Sequence, residues 1–279
     1  MGRTARFAAL RRRAAAGRPK PDWFSCRRLE TGSTYLRWSG LFEFVVSADG
    51  HDIRYHRHPR ATPESLSTYL LGQVLSFALL ALGVEPLHGT VVVADGEGIG
   101  FLGDCGYGKS TLGAAFLRLG CPVLTDDVIV LERTASRYCV QPGMPRIKLF
   151  PSVARQVLGV EPSGTRLNDG TSKQILPLGA GQAALAPVPL RALYALSEPT
   201  PARRRAAGRI AIERLSAGAA CLELIRNTFN TIVLDRDRLA RQFAFASRLA
   251  GVVPVRRLSY PRSLRKLPAV CEAVLADWS

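Results

Sequence analysis

A chain of 279 residues with 47% hydrophobic and 22% charged residues can bury one large core or two small ones, and it is too apolar to be disordered. Its formal charge is +16, with 33 Arg and five Lys among 38 basic residues; base composition is the favoured account and a phosphate-bearing or acidic partner the alternative. The six Cys have no CxxC spacing, which excludes a zinc framework and leaves free thiols in a reducing cytoplasm as the expectation.

Met1 to Pro21 carries seven basic residues, no acid and no apolar stretch of signal-peptide kind, so 1–22 reads as a frayed or weakly helical basic arm. The runs at Arg11–Arg13 and Arg203–Arg205 are the densest positive charge. From Phe24 to Tyr55, "STYLRWS", "LFEFVVSADG" and "HDIRYHRH" alternate aromatic or β-branched residues with polar ones, which predicts short strands with a turn at "ADG". His56 and His58 flank Arg57 without further ligands, so no metal site is expected there.

A helix is predicted from about Pro63 to Gly83. Within it, Leu66 to Val84 is nineteen residues without a charge, near the length that spans a bilayer. Ser67, Thr68, Gln73 and Ser76 interrupt it and Glu64 and Glu85 flank it, so the expectation is a buried helix and no membrane partner. Pro59 to Pro63 and Glu85–Pro86 are the boundary candidates. They divide the chain into the arm 1–22, a small N-terminal α+β region at 23–85 and a nucleotide-binding domain at 86–279.

"PLHGTVVVADGEGIGFLG" predicts a hairpin with strands at Val91–Val93 and Ile99–Leu102. It leads into "GDCGYGKS" and then a helix with Leu112, Phe116 and Leu119 on one face. "CPVLTDDVIVLE" is strand-like on both sides of an Asp pair. Short strands follow in "YCVQPGMPRIKLFPSV", "LNDGTSKQILPL", "PLRALYALSEP" and "GRIAIERLS". Helices at Gly218–Phe229 and Arg236–Gly251 are expected to close the chain.

"GDCGYGKS" satisfies G-x-x-x-x-G-K-[ST] with Gly103, Gly108, Lys109 and Ser110. Glycines let successive N–H groups face an anion, and a helix starting at Ser110 adds its positive end. The loop residues Gly103, Asp104, Cys105, Gly106, Tyr107, Gly108, Lys109, Ser110 and Thr111 are therefore the candidates for a nucleoside triphosphate, with Lys109 between the outer phosphates and Ser110 on Mg²⁺.

Asp126 and Asp127 follow Lys109 by only seventeen and eighteen positions. Neighbours on a strand point to opposite faces, so both reach one site only if the strand ends there, and Thr125 with the polar break predicts that it does. One carboxylate can then order a metal while the other accepts a proton from an attacking hydroxyl. His88, just before the first hairpin strand, is placed to pair with a carboxylate and tune its basicity.

Together, "LHGTVVV…GFLGDCGYGKSTL…GCPVLTDD" resembles the C-terminal catalytic domain of HPr kinase/phosphorylase, whose core is shared with phosphoenolpyruvate carboxykinase. The resemblance is specific over Leu87–Glu132 and looser to about Thr228. It implies an α/β fold with a P-loop core beside the small N-terminal α+β region, and ATP and Mg²⁺ as cofactors. It makes Asp127 the general base, Asp126 its metal or hydrogen-bond partner and His88 the supporting His. The family's downstream Glu-hydrophobic-Arg-Gly signature is absent, replaced by "PGMPRIKLFPSV", and the N-terminal region is short. Those features look like the HPr-kinase-like enzymes of lasso peptide biosynthesis, which share "PG-x-PR", a Lys before "LPL" and "PL…LYxL". That likeness makes Arg146, Lys173 and Arg191 candidates for holding phosphates or a substrate carboxylate, a task suited to a planar guanidinium.

The expectation is an ATP-dependent Ser kinase in the cytoplasm acting on a peptide or small protein, preferably the C-terminal Ser of a lasso precursor peptide. An HPr-type carrier-protein kinase/phosphorylase, a small-molecule hydroxyl kinase and a non-catalytic nucleotide-binding sensor are the alternatives. The family resemblance admits a homo-oligomer. No helix-turn-helix, RNP-type or aromatic-interleaved basic stretch points to nucleic acid.

Overall fold

The structure, a computed structural model, describes residues 7, 8, 10, 23–161, 165–168, 171–197 and 209–277. Both Arg runs, and nearly all of the basic arm expected over 1–22, lie outside the described residues. The chain divides into two compact units, 1–84 and 85–279.

The first unit is an antiparallel meander of β1 (Phe24–Arg28), β2 (Thr34–Trp38), β3 (Phe42–Val46) and β4 (Ile53–Arg57), paired in chain order. Leu36 and Trp38 on β2 and Phe42, Phe44 and Val46 on β3 are buried on one covered face, and on the other Tyr35 and Glu43 are buried too, the Tyr35 hydroxyl donating to Glu43 at 2.8 Å. The cover is a helical run: α1 (Pro63–Tyr69), a π-helical stretch (Leu70–Val74) and α2 (Leu75–Ala81). Thr62 caps its start by accepting from the Ser65 N–H. Tyr69 packs edge-on against Trp38, with ring centroids 5.0 Å apart, and against Phe42 at 4.8 Å. By length and composition this run could cross a membrane; in the fold, Val74, Phe77, Ala78 and Leu80 are buried.

The second unit holds a curled, mixed sheet ordered β14-β15-β13-β6-β5-β7. Its strands are β5 (Leu87–Ala94), β6 (Glu97–Leu102), β7 (Val123–Ile129), β13 (Val188–Leu196), β14 (Ala211–Arg214) and β15 (Val255–Ser259). β13 is parallel to β6 and β15, while β5 is antiparallel to both β6 and β7. A small hairpin, β8 (Leu131–Arg133) and β9 (Tyr138–Val140), joins the start of β13. The β5–β6 hairpin turns at Asp95 (φ +48°) and Gly96 (φ +78°), the left-handed pair of a type I′ turn. β5 begins at Leu87, earlier than expected, and so carries His88 within the strand.

Side chains alternate between two cores. Val92, Ile99, Phe101, Ala192, Tyr194 and Leu258 face α3 (Lys109–Arg118) and the last helix; Val91, Leu102, Leu193 and Val255 face α4 (Ala217–Arg226) and α5 (Arg236–Val252). Each fully buried aliphatic or aromatic side chain contributes about 1.5–3 kcal/mol. Leu112 and Phe116 of α3 are buried as expected, but the helix ends at Arg118 and Leu119 is exposed.

The chain does not close on the helices expected at 218–229 and 236–251. It continues into β15, which inserts between β13 and β14, and into α6 (Leu267–Ala276). β15 reads "VRRLS", and its two Arg at the centre hide a strand whose Val255 and Leu258 are buried. A separate antiparallel sheet, β10 (Arg146–Leu149), β12 (Thr171–Pro177) and β11 (Thr165–Asn168), pairs in the order β10-β12-β11.

Candidate functional site

The loop from Gly103 to Gly108 joins the end of β6 to the start of α3. Gly103, Gly106 and Gly108 have φ of +146°, +85° and +93°, values closed to most side chains, so the glycines are what allow the loop its path. Arg262 braces it from beyond β15. Its guanidinium donates to the Tyr107 carbonyl and, at 2.6 Å, to the Ser197 carbonyl, and it stacks on the Tyr260 ring. Lys109 is buried and its ammonium donates to the carbonyls of Gly103 and Asp104, the latter at 2.9 Å. Burial pushes the Lys109 pKa below its ordinary value, and Lys173 adds to this, against the opposing pull of Asp126 and Asp127.

Asp126 lies on β7 opposite Thr90 of β5. One carboxylate oxygen accepts from Thr90 Oγ1 at 2.6 Å and from Ser110 Oγ at 2.9 Å, and the other accepts from the Lys148 N–H at 2.9 Å. The loop hydroxyl and the downstream carboxylate therefore meet, the pair that a Mg²⁺ ion at a phosphate loop requires.

The strand does not end at the Asp pair, contrary to expectation: β7 runs unbroken from Val123 to Ile129. Asp127 instead takes φ +103°, in register with Gly89. This left-handed backbone breaks the alternation, so both carboxylates reach Lys148. A non-glycine residue held there is strained, and such strain persists only where neighbours fix it. Gly89 helps: a Cβ on it would lie 2.5 Å from Ile129 Cδ1 and 2.6 Å from the Phe101 carbonyl, so the strands approach more closely than another residue permits.

Asp127 Oδ2 accepts from Lys148 Nζ at 2.6 Å, and Oδ1 lies 3.6 Å from His88 Nδ1. His88 Nδ1 also lies 3.1 Å from the Asp127 carbonyl oxygen, and its ring meets Phe229 edge-on. Burial alone pushes the Asp127 carboxyl up, but Lys148, then His88 and Lys109, outweigh it and hold its pKa below the usual carboxylate value. Burial lowers the His88 pKa below its ordinary value, against the opposing pull of Asp127.

Of the downstream basic residues, Arg146 is near enough to feel both carboxylates, although burial is the larger influence and lowers its pKa. Lys173 on β12 sits over the Phe150 ring, 5.2 Å from its centroid. Arg191 is not brought to this cluster. It pairs with Glu97 at 2.9 Å, where β6 begins, at the opposite end of that strand from the loop.

Lys148 was not singled out by the sequence reading, nor were Thr90 and Arg262. The signal for Lys148 was present: in "RIKL" it stands two residues after Arg146, on the same face of a strand. Thr90 and Arg262 had no such signal, because their partners are 36 and 155 residues away.

No family model matches the chain, and no curated protein does. Among solved structures, the HPr(Ser) kinase/phosphatase from Coxiella burnetii aligns over 69% of this chain and 94% of its own, with 15% identity and a TM-score of 0.38.

Proposed function

We propose that the chain is an ATP-dependent phosphotransferase of the cytoplasm that phosphorylates a Ser hydroxyl on a peptide or small protein, preferably the C-terminal Ser of a ribosomally made precursor peptide. The observation that carries the phosphotransferase reading is the contact of Ser110 Oγ with Asp126 Oδ1 at 2.9 Å, beside an Asp127 carboxylate held ionised by Lys148. The choice of a Ser-ended peptide rests on the sequence resemblance around "PGMPR" alone.

The residues fit Mg²⁺-ATP. The loop amides would cradle phosphate, Lys109 would supply the cation for the outer phosphates, and Ser110 with Asp126 would hold Mg²⁺. When bound, Mg²⁺ neutralises charge on the phosphate chain. Arg146 and Lys173 add positive charge to the same region. Asp127 takes the proton of the acceptor hydroxyl as its oxygen bonds to the terminal phosphorus and the bond to the bridging oxygen breaks, leaving ADP. His88 and Lys148 hold that carboxylate in place.

The test is incubation of the purified protein with Mg-ATP and a Ser-ended peptide, read by mass spectrometry. Phosphate on the terminal Ser supports the reading. Failure of Mg-ATP to stabilise the protein, with no ATP consumed, refutes it.

A further inference from the structure

A cavity of about 320 Å³ opens beside the phosphate loop, within the second unit. Its walls are Gly103 and Asp104 of the loop, Ser197 after β13, Arg257 on β15, and Glu223 and Arg226 on α4. Apart from Gly103, Asp104 and Tyr107 of the loop, none of the residues lining it has a role in the chemistry described above.

Its position is informative. Lys109 rests on the Gly103 and Asp104 carbonyls, so this end of the loop is where the outer phosphates belong. The cavity touches those two residues and Tyr107 of the same loop. Asn227 also lines it, and the Asn227 carbonyl accepts from the His88 N–H at 2.7 Å. One wall is therefore the stretch of loop on which the Lys109 ammonium rests, and another abuts the strand residue that touches Asp127.

Its chemistry points the same way. Glu223 Oε1 is shared between Arg226 Nη1 and Arg257 Nη2, each 3.4 Å away, a loose arrangement by hydrogen-bond standards. Glu213 lies 3.6 Å from Arg257 and is largely exposed. Two guanidiniums offer far more N–H donors than these contacts occupy, and the guanidinium fork matches a carboxylate. The volume lies at the lower end of the small-ligand range, enough for a chain terminus.

We propose that this cavity is the acceptor subsite, and that Arg226 and Arg257 bind the free carboxylate of an acceptor whose hydroxyl and carboxylate sit on neighbouring carbons, as in a C-terminal seryl residue. This rests on the phosphotransferase reading, with Arg146 and Lys173 left to the phosphates.

The experiment compares a hexapeptide ending in Ser as free acid and as C-terminal amide. The wild-type protein should label the free acid with the lower KM. The Arg226→Gln, Arg257→Gln double variant should raise the free-acid KM about tenfold or more, toward that of the amide, as loss of charge-assisted hydrogen bonds predicts. The Mg-ATP-induced rise in Tm, which reads nucleotide binding only, should persist. An unchanged free-acid KM in the double variant, equal use of both peptides by the wild type, or labelling of neither overturns the proposal. In each of those cases, Mg-ATP stabilisation with ATP turnover keeps the phosphotransferase reading intact. The Arg226 side chain is 70% exposed, so Arg226→Gln alone leaves the core untouched. If the double variant does not fold, an unchanged free-acid KM in that single variant is equally decisive.

Discussion

Lys148 Nζ lies 2.6 Å from Asp127 Oδ2, joining a strand of the small three-stranded sheet to a strand of the main one. The carboxylate proposed as the proton acceptor is thus fixed by an ammonium from a different sheet. Lys148→Met should leave Asp127 without its strongest stabilising charge and lower kcat by about 10- to 100-fold, the scale of losing an outer partner that orients a ligand at a metal site. A matching series of initial rates at saturating Mg-ATP checks this, and a wild-type kcat would show that Lys148 only braces the fold.

Lys109 is the cation of the loop. Mg-ATP at about 100 times its Kd should stabilise the wild-type protein by about 2.7 kcal/mol. Lys109→Ala should remove most of that gain, because the buried ammonium already lies on the carbonyls at the outer-phosphate end. Thermal melts with and without Mg-ATP measure both.

The two Asp residues should fail differently. Asp127→Asn should cost about 10² to 10⁴ in rate with nucleotide stabilisation retained, since it removes the proposed proton acceptor. Asp126→Asn should instead shift the Mg²⁺ concentration needed for half-maximal rate, because Asp126 holds Ser110. Rates across a Mg²⁺ titration separate the two, and the opposite pattern would exchange the roles within the pair.

Arg238 is 1% exposed and donates to the carbonyls of Phe229, Asn230 and Val233 as well as to Glu85 at 3.3 Å. Arg238→Ala should destabilise the protein by about 3–5 kcal/mol, because it leaves Glu85 buried and uncompensated. Glu85→Gln should cost far less. Burial raises the Glu85 pKa above its ordinary 4.5, against the pull of Arg238. A carboxyl with a raised folded pKa stabilises the fold fully below 4.5 and loses that contribution as pH rises through the folded value. Denaturant melts from pH 4.5 upward should therefore show the wild type losing ground to Glu85→Gln as pH rises. A constant difference would mean that Glu85 does not titrate as described.

The sequence by itself determined what depends on neighbours along the chain. The β5–β6 hairpin follows from "ADGEG", because only a few residues tolerate two left-handed positions in succession, and the phosphate loop follows from "GDCGYGKS" for the same reason. Lys109, Ser110 and the Asp pair were legible because their chemistry lies within one loop, one helix and one strand. Tertiary structure decided the rest. It allowed Asp127 a strained backbone by bringing Gly89 close opposite it, so that adjacent strand residues share one side. It brought Lys148 from another sheet to Asp127 and left Arg191 with Glu97 at the far end of β6. It placed β15 inside the sheet, although its central Arg256 and Arg257 read as surface. Such contacts join residues tens to hundreds of positions apart, and local periodicity carries no information about which strands become neighbours or which charges then face each other.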